Sequence, residues 1–213
     1  MSKKITVLVD NDSWIIPFAK KLVRDLNKVG FNTIFVKSAD EIEAGWVNFM
    51  LGCTKILDHD ILERNRHNLV VHESDLPQNR GFAPMTWQIL ENRNNIPICL
   101  FEANSKVDTG DIWIRDVIQL EGSELCNEWR AIQGNKTIEL CKRFIESYDK
   151  LVPIKQSGVG SWNRQRIPKD SELDPKKTIA EQFLLLRVVD NNDYPAFFDY
   201  MGRKYKLIIQ PID

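Results

Sequence analysis

The alternation at the start of the chain restricts the fold more than any other feature. Ile5-Thr6-Val7-Leu8-Val9 is a short apolar run suited to a buried strand. Apolar positions then recur at Ile15, Phe18, Ala19, Leu22, Val23 and Leu26, one face of a helix, which Gly30 stops. A second strand, Asn32-Thr33-Ile34-Phe35-Val36, comes next. Residues 46–51 read as a third strand closed by Gly52, and Asp58 caps a short helix through Leu62. Residues 68–71 form a strand leading into His72, Pro84 opens a helix to Glu91, and residues 96–101 are another apolar run. Strands separated by helical segments predict an α/β fold with a mainly parallel, Rossmann-like sheet flanked by helices.

Beyond that sheet, residues 113–120 alternate as a strand does and residues 123–148 form a long amphipathic helix. Residues 153–175 are rich in Gly, Ser, Pro, Lys and Arg, the composition of a linker or binding loop. A helix over 178–189 and a hairpin around Gly202, with arms 196–200 and 204–209, make a small C-terminal appendage. With 213 residues, 43% of them hydrophobic, the chain suffices for one sizeable core and such an appendage.

Several functions are disfavoured at this level. Lys and Arg number 29 against 30 Asp and Glu, so no basic excess points to a nucleic-acid partner. No apolar stretch approaches the ~20 residues that span a bilayer, and the N-terminus lacks a signal-peptide pattern, so a cytoplasmic protein without membrane contact is expected. After the first strand stands Asp10-Asn11-Asp12-Ser13, where a dinucleotide-binding sheet would carry its glycines. Cys53, Cys99, Cys126 and Cys141 form no CxxC pair and read as reduced thiols. His59, His67 and His72 show no metal-type spacing, and no metal is expected. In an open sheet the ligand site lies beyond the carboxyl ends of the strands, where Leu51-Gly52-Cys53, His72 and the segment after Phe101 should gather.

Two segments carry chemistry. In Val70-Val71-His72-Glu73-Ser74-Asp75-Leu76-Pro77-Gln78-Asn79-Arg80-Gly81-Phe82-Ala83-Pro84, a histidine closes an apolar strand and a polar loop follows. The other, Val107-Asp108-Thr109-Gly110-Asp111-Ile112, is a tight acidic turn between strands. Singly, each has a plainer reading: a histidine in a structural role, and a turn whose Asp side chains bond nearby amides.

Together they resemble the formyltetrahydrofolate-dependent formyltransferases, the family of methionyl-tRNA, glycinamide ribonucleotide and sugar N-formyltransferases. The hallmark N-x-H-x-S-x-L-P, R-G-x-x-P and D-T-G-D is matched in register by His72, Ser74, Leu76, Pro77, Arg80, Gly81, Pro84, Asp108, Thr109, Gly110 and Asp111. The separation of 36 positions from His72 to Asp108 is also the family's. The resemblance covers roughly residues 5–118 and implies a formyltransferase catalytic domain over 1–150. It implies a 10-formyltetrahydrofolate co-substrate, with Leu51, Gly52, Cys53, Thr54 and Ile56, together with Asp108, at the folate. One departure stands out: Val70 occupies the position of the family's Asn, which donates to the formyl oxygen. Asn48, Ser74, Gln88 and a backbone amide are the candidate replacements.

The chemistry accounts for the residue types. An acceptor amine attacks the formyl carbon, giving an oxyanion that a fixed donor stabilises. The amine must lose a proton and the folate nitrogen gain one, which an imidazole paired with a carboxylate can mediate. The resemblance therefore makes His72 and Asp108 catalytic.

The C-terminal part, 151–213, resembles the acceptor-binding region of sugar-nucleotide formyltransferases, through Arg164-Gln165-Arg166-Ile167-Pro168-Lys169-Asp170, Leu186-Arg187-Val188-Val189 and Tyr194-Pro195-Ala196-Phe197. The implied acceptor is the amine of a nucleotide-linked amino-deoxysugar. Ser74, Arg80, Gly81, Trp162, Arg164, Arg166, Arg187 and Tyr194 are its expected contacts, and a homodimer is left open. The alternatives are a folate-binding relative without transfer activity and a formylase of amino acid or peptide amines.

Overall fold

The computed structural model describes residues 3–212. Its central sheet holds β1 (Lys4–Leu8), β2 (Asn32–Val36), β3 (Gly45–Met50), β4 (Asn65–His72), β6 (Asn95–Glu102) and β7 (Ile112–Gln119). Their order is β2-β1-β3-β4-β6-β7. The first four are parallel; β6 runs antiparallel to β4, and β7 antiparallel to β6. The chain leaves β1 in both directions, to β2 on one side and β3 on the other. The carboxyl ends of β1 and β3 thus frame the switch point where ligands of such sheets bind.

The two faces differ. Ile5, Val7, Val47, Phe49, Leu69, Val71, Ile98 and Leu100 bury against α1 (Ile16–Lys28) and α4 (Cys126–Ser147), in one core with Ala19, Leu22, Leu26, Cys141 and Phe144. Gly134 lets α4 approach α1, because a Cβ there would stand 2.6 Å from the Phe18 ring. On the opposite face Leu8, Met50, Val70 and Phe101 meet the short α2 (His59–Leu62) and loops. His72 shares that thinly covered face with Val70, since alternate strand residues point the same way.

One sequence expectation changes. The helix expected over 178–189 is shorter, α5 (Phe183–Val188), preceded by a 3-10 turn, Ala180–Gln182. Local polar bonds explain the loss: Gln182 pairs with Asp174, and Glu181 with Thr178, which competes with helical bonding. The segment expected as a linker or binding loop is ordered against the sheet domain. In it β8 (Trp162–Asn163) pairs in parallel with β5 (Arg80–Gly81), just ahead of α3 (Pro84–Leu90). The hairpin β9 (Ala196–Tyr200) and β10 (Arg203–Leu207) forms its own small core around Leu173, Leu186, Val189 and Ala196.

Candidate active site

His72 ends β4 with its ring buried. Its Nε2 donates to the carbonyl oxygen of Asn79 at 2.8 Å. A carbonyl can only accept, so Nε2 carries the hydrogen and Nδ1 keeps its lone pair for a reacting proton. Asp108 Oδ2 lies 3.8 Å from the same Nε2, outside hydrogen-bond reach yet close enough to stabilise an imidazolium when one forms. That carboxylate accepts a 2.8 Å bond from the Gly81 amide. Phe101 meets the imidazole edge-on, at 6.4 Å between ring centroids.

A loop folded back over the sheet delivers Asp108. It leaves β6 beside Asn68, whose carbonyl accepts from the Ala103 amide at 2.7 Å, and Asn68 is four residues before His72 on β4. Four strand residues span about 13 Å, the distance the loop must retrace. The loop closes through Glu102 N to Asp111 O, 2.9 Å. Gly110 is required there, because a Cβ would stand 1.6 Å from the Glu102 carbonyl oxygen. Gly81 is required for a different reason: its φ is +90°, and a Cβ would meet Asn163 O at 2.6 Å.

At the switch point Asp10, just past β1, organises the loop after β3. Its carboxylate accepts from the Thr54 amide at 2.9 and 3.1 Å and the Lys55 amide at 2.9 Å, while Asn11 spans from Asp10 to Gly52 O. Burial opposes ionisation of Asp10, but the Thr54 amide, Asn11 and the Lys55 amide outweigh it and hold the carboxyl below its ordinary value. The Thr54 and Lys55 amides are therefore spent within the protein. Leu51 is buried, Gly52 and Thr54 are exposed, Cys53 is partly covered, and Ile56 is 65% exposed at the loop's tip. Cys53 donates to Leu8 O, and burial pushes its thiol pKa up to about 12. Asp10 was not singled out from the sequence, although its place after the first strand was the available signal.

The residues expected at the acceptor divide. Arg80, half-buried, donates to Gln156 Oε1 at 2.7 Å, and its guanidinium lies 5.9 Å from the ring centre of Trp162. Trp162 is 60% exposed and packs beside Gly81, whose amide is bonded to Asp108. Ser74 is fully buried with no partner for its hydroxyl. Arg164 is exposed, stacked 4.8 Å over the Trp87 ring, and both its terminal nitrogens donate to Asp170, at 2.6 and 2.5 Å. Tyr194 is partly exposed in a turn whose backbone bonds both ways with Asp190 at 3.1 Å.

Two expectations are corrected. Arg187 is fully buried, and its guanidinium meets Glu124 Oε2 at 3.2 Å, Asn94 Oδ1 at 3.2 Å and Glu124 O at 3.3 Å, so it ties α5 to the start of α4 and is not presented to an acceptor. Arg166 turns inward to Val188 O, Asp170 O and Ser171 Oγ at 3.2, 2.9 and 3.3 Å. Lys169 pairs with Glu172. Each cation of the basic run thus finds an acceptor within the chain, in its own segment and, for Arg166, also at Val188.

Val70 packs against the cluster of Leu76, Cys99, Phe101 and Ile112, so no polar group stands at its position. Of the donors weighed in its place, Asn48 donates to Asn68 Oδ1 at 3.3 Å, and Gln88 to the carbonyls of Glu73 and Pro84. The buried Ser74 hydroxyl remains uncommitted.

Fold and motif geometry together define an α/β architecture with a histidine–carboxylate pair near the carboxyl end of β4. In fold the chain is similar to solved formyltransferases, and the sequence of its motif-bearing half is similar to that of curated ones. It is 32% identical over 116 residues to the methionyl-tRNA formyltransferase of Rickettsia massiliae, a stretch covering 54% of this chain and 38% of the relative. The chain thus spans well under half the length of the curated relatives it matches. No family model matches it. Among solved structures, a methionyl-tRNA formyltransferase from Clostridium thermocellum superposes with a TM-score of 0.78 at 22% identity, over 96% of this chain and 90% of that one. A sugar N-formyltransferase from a Shewanella species gives 0.67 at 16% identity over 99% of both chains. HypX from Aquifex aeolicus, in complex with tetrahydrofolic acid, gives 0.79 at 13% identity over 96% of this chain and 37% of that one.

Proposed function

We propose that this protein transfers the formyl group of 10-formyltetrahydrofolate to the amine of a nucleotide-linked amino-deoxysugar. The observation that carries formyl transfer is the His72–Asp108 pair, 3.8 Å apart near the carboxyl end of β4, in residues matching the family motif. His72 Nδ1 is the atom placed to accept the proton of the attacking amine. Asn79 holds the ring's other nitrogen, and Asp108 balances the charge that the ring then carries. Ser74 is the side chain free to replace the missing family Asn as donor to the formyl oxygen. The folate donor suits the loop 51–56, which Asp10 stiffens beside the switch point and which leaves Ile56 exposed.

Support for a sugar nucleotide as acceptor is the exposed Trp162 ring beside Gly81, with Arg80 next to it: a flat platform for a base or sugar, one residue from the catalytic turn. A near-zero net charge offers little to a polyanionic tRNA. The competing acceptor, methionyl-tRNA, is favoured by the similarity to curated methionyl-tRNA formyltransferases. Incubation of the protein with 10-formyltetrahydrofolate and, in parallel, nucleotide-linked amino sugars, amino acids and methionyl-tRNA, read by mass spectrometry, decides among them. A gain of one formyl group on the sugar nucleotide supports the proposal, and formylated methionyl-tRNA overturns the acceptor. Trp162→Ala should raise the acceptor KM about tenfold or more, the equivalent of ~1.4 kcal/mol, with the folate KM unchanged.

A further inference from the structure

Two non-glycine residues at the catalytic pair adopt left-handed backbone: Asn79 at φ +54° and Asp108 at φ +51°. L-residues adopt such a conformation rarely, Asn and Asp more readily than most, and it persists where neighbours hold it. Both are held from the same place. The Asn79 amide donates to Ser161 Oγ at 2.8 Å, while its carbonyl receives His72. The Asp108 carbonyl accepts from Gln156 Nε2 at 3.0 Å, and the same nitrogen reaches Gly110 O at 2.9 Å. Gln156 Oε1 in turn receives Arg80 Nη2 at 2.7 Å, beside the glycine whose amide holds the Asp108 carboxylate. Arg80 and Gly81 are pinned by pairing with Trp162 and Asn163.

We propose that Gln156 is a positioning residue for Asp108, and that the strap 156–163 sets the geometry of both catalytic side chains from outside the segment that bears them. One amide side chain bridges the acidic turn and the Arg-Gly turn, so the distance from Asp108 to His72 is set by Gln156 as much as by the sheet. Ser161 does the same for the carbonyl that orients the His72 ring. The catalytic part of this inference rests on the formyl-transfer reading; the positioning part does not.

The test is Gln156→Met, which keeps the length of the side chain and removes its donors and acceptor. One readout needs no turnover: hydrogen exchange of the Gly81 amide, which is bonded to the Asp108 carboxylate. Exchange at Gly81 should accelerate tenfold or more, about 1.4 kcal/mol, while amides of β1 and β3 keep their protection. In the transfer assay kcat should fall about tenfold to a hundredfold, the scale of an ångström-sized misplacement, with both KM values within about twofold. Ser161→Ala should lower kcat by loosening Asn79, and Ser161→Thr should restore it by returning the hydroxyl. Unchanged Gly81 exchange in Gln156→Met overturns the proposal. So does acceleration spread evenly through the core, which marks simple destabilisation. A wild-type protein that formylates no acceptor would defeat the functional reading, and the exchange result would still decide the role of Gln156.

Discussion

The Nε2 of His72 is bonded to the carbonyl of Asn79, not to a carboxylate. The tautomer is therefore set by backbone, and in the proposed mechanism the acid of the pair acts by charge across 3.8 Å. His72→Ala should lower turnover ~10²–10⁴-fold, the usual contribution of a general base. Asp108→Asn should cost less than that, because Asn79 still orients the ring. Tetrahydrofolate binding, measured by calorimetry, should survive both substitutions. Near-normal turnover in His72→Ala would move the chemistry elsewhere.

Asp10 makes a different forecast. Its carboxylate accepts two successive loop amides, so Asp10→Ala should leave Thr54 and Lys55 unfastened and disorder the folate loop. The dissociation constant for tetrahydrofolate should rise tenfold or more, about 1.4 kcal/mol, while kcat at saturating donor changes little. Loss of kcat with unchanged donor affinity would mean that the loop serves the chemistry instead.

Arg187 should behave as a structural residue. Arg187→Met leaves Glu124 and Asn94 without their buried partner, and breaking such a pair costs about 3–5 kcal/mol. Thermal unfolding should show that loss, and the KM for the acceptor should not move. A stable variant with a raised acceptor KM would restore the binding role expected from the sequence.

The Arg164–Asp170 pair sets a pH window. Its hydrogen bond to Arg164 is the largest influence on the Asp170 carboxyl, whose pKa is lowered to about 2. An unfolded Asp titrates near ~3.9, so the folded state gains stability above that pH and loses it as the pH falls through about 2. Asp170→Asn should therefore lower the melting temperature at neutral pH. The difference from the parent protein should shrink below pH ~4 and close below about 2. A gap that persists in strong acid would assign it to packing.

The sequence by itself determined the sheet and brought out the residues proposed as catalytic. Buried strands such as Ile5–Val9 declare themselves because periodicity is local, and His72 at a strand's end with the acidic turn 36 residues later forms a recognisable pattern. It also pointed to the neighbourhood of the folate loop, since carboxyl ends follow from strand direction. Only the tertiary structure decided what each cation pairs with. Arg164, Arg166 and Arg187 look alike in sequence, but folding gives Arg187 the carboxylate of Glu124, Arg166 a set of carbonyls and Arg164 the carboxylate of Asp170. It likewise revealed Gln156, 48 residues from Asp108 along the chain, as the side chain holding that turn. The physical reason is range. Backbone propensity and hydrophobic period act over a few neighbours, whereas the partner of a buried polar group is chosen by whichever distant segment the fold brings within about 3 Å.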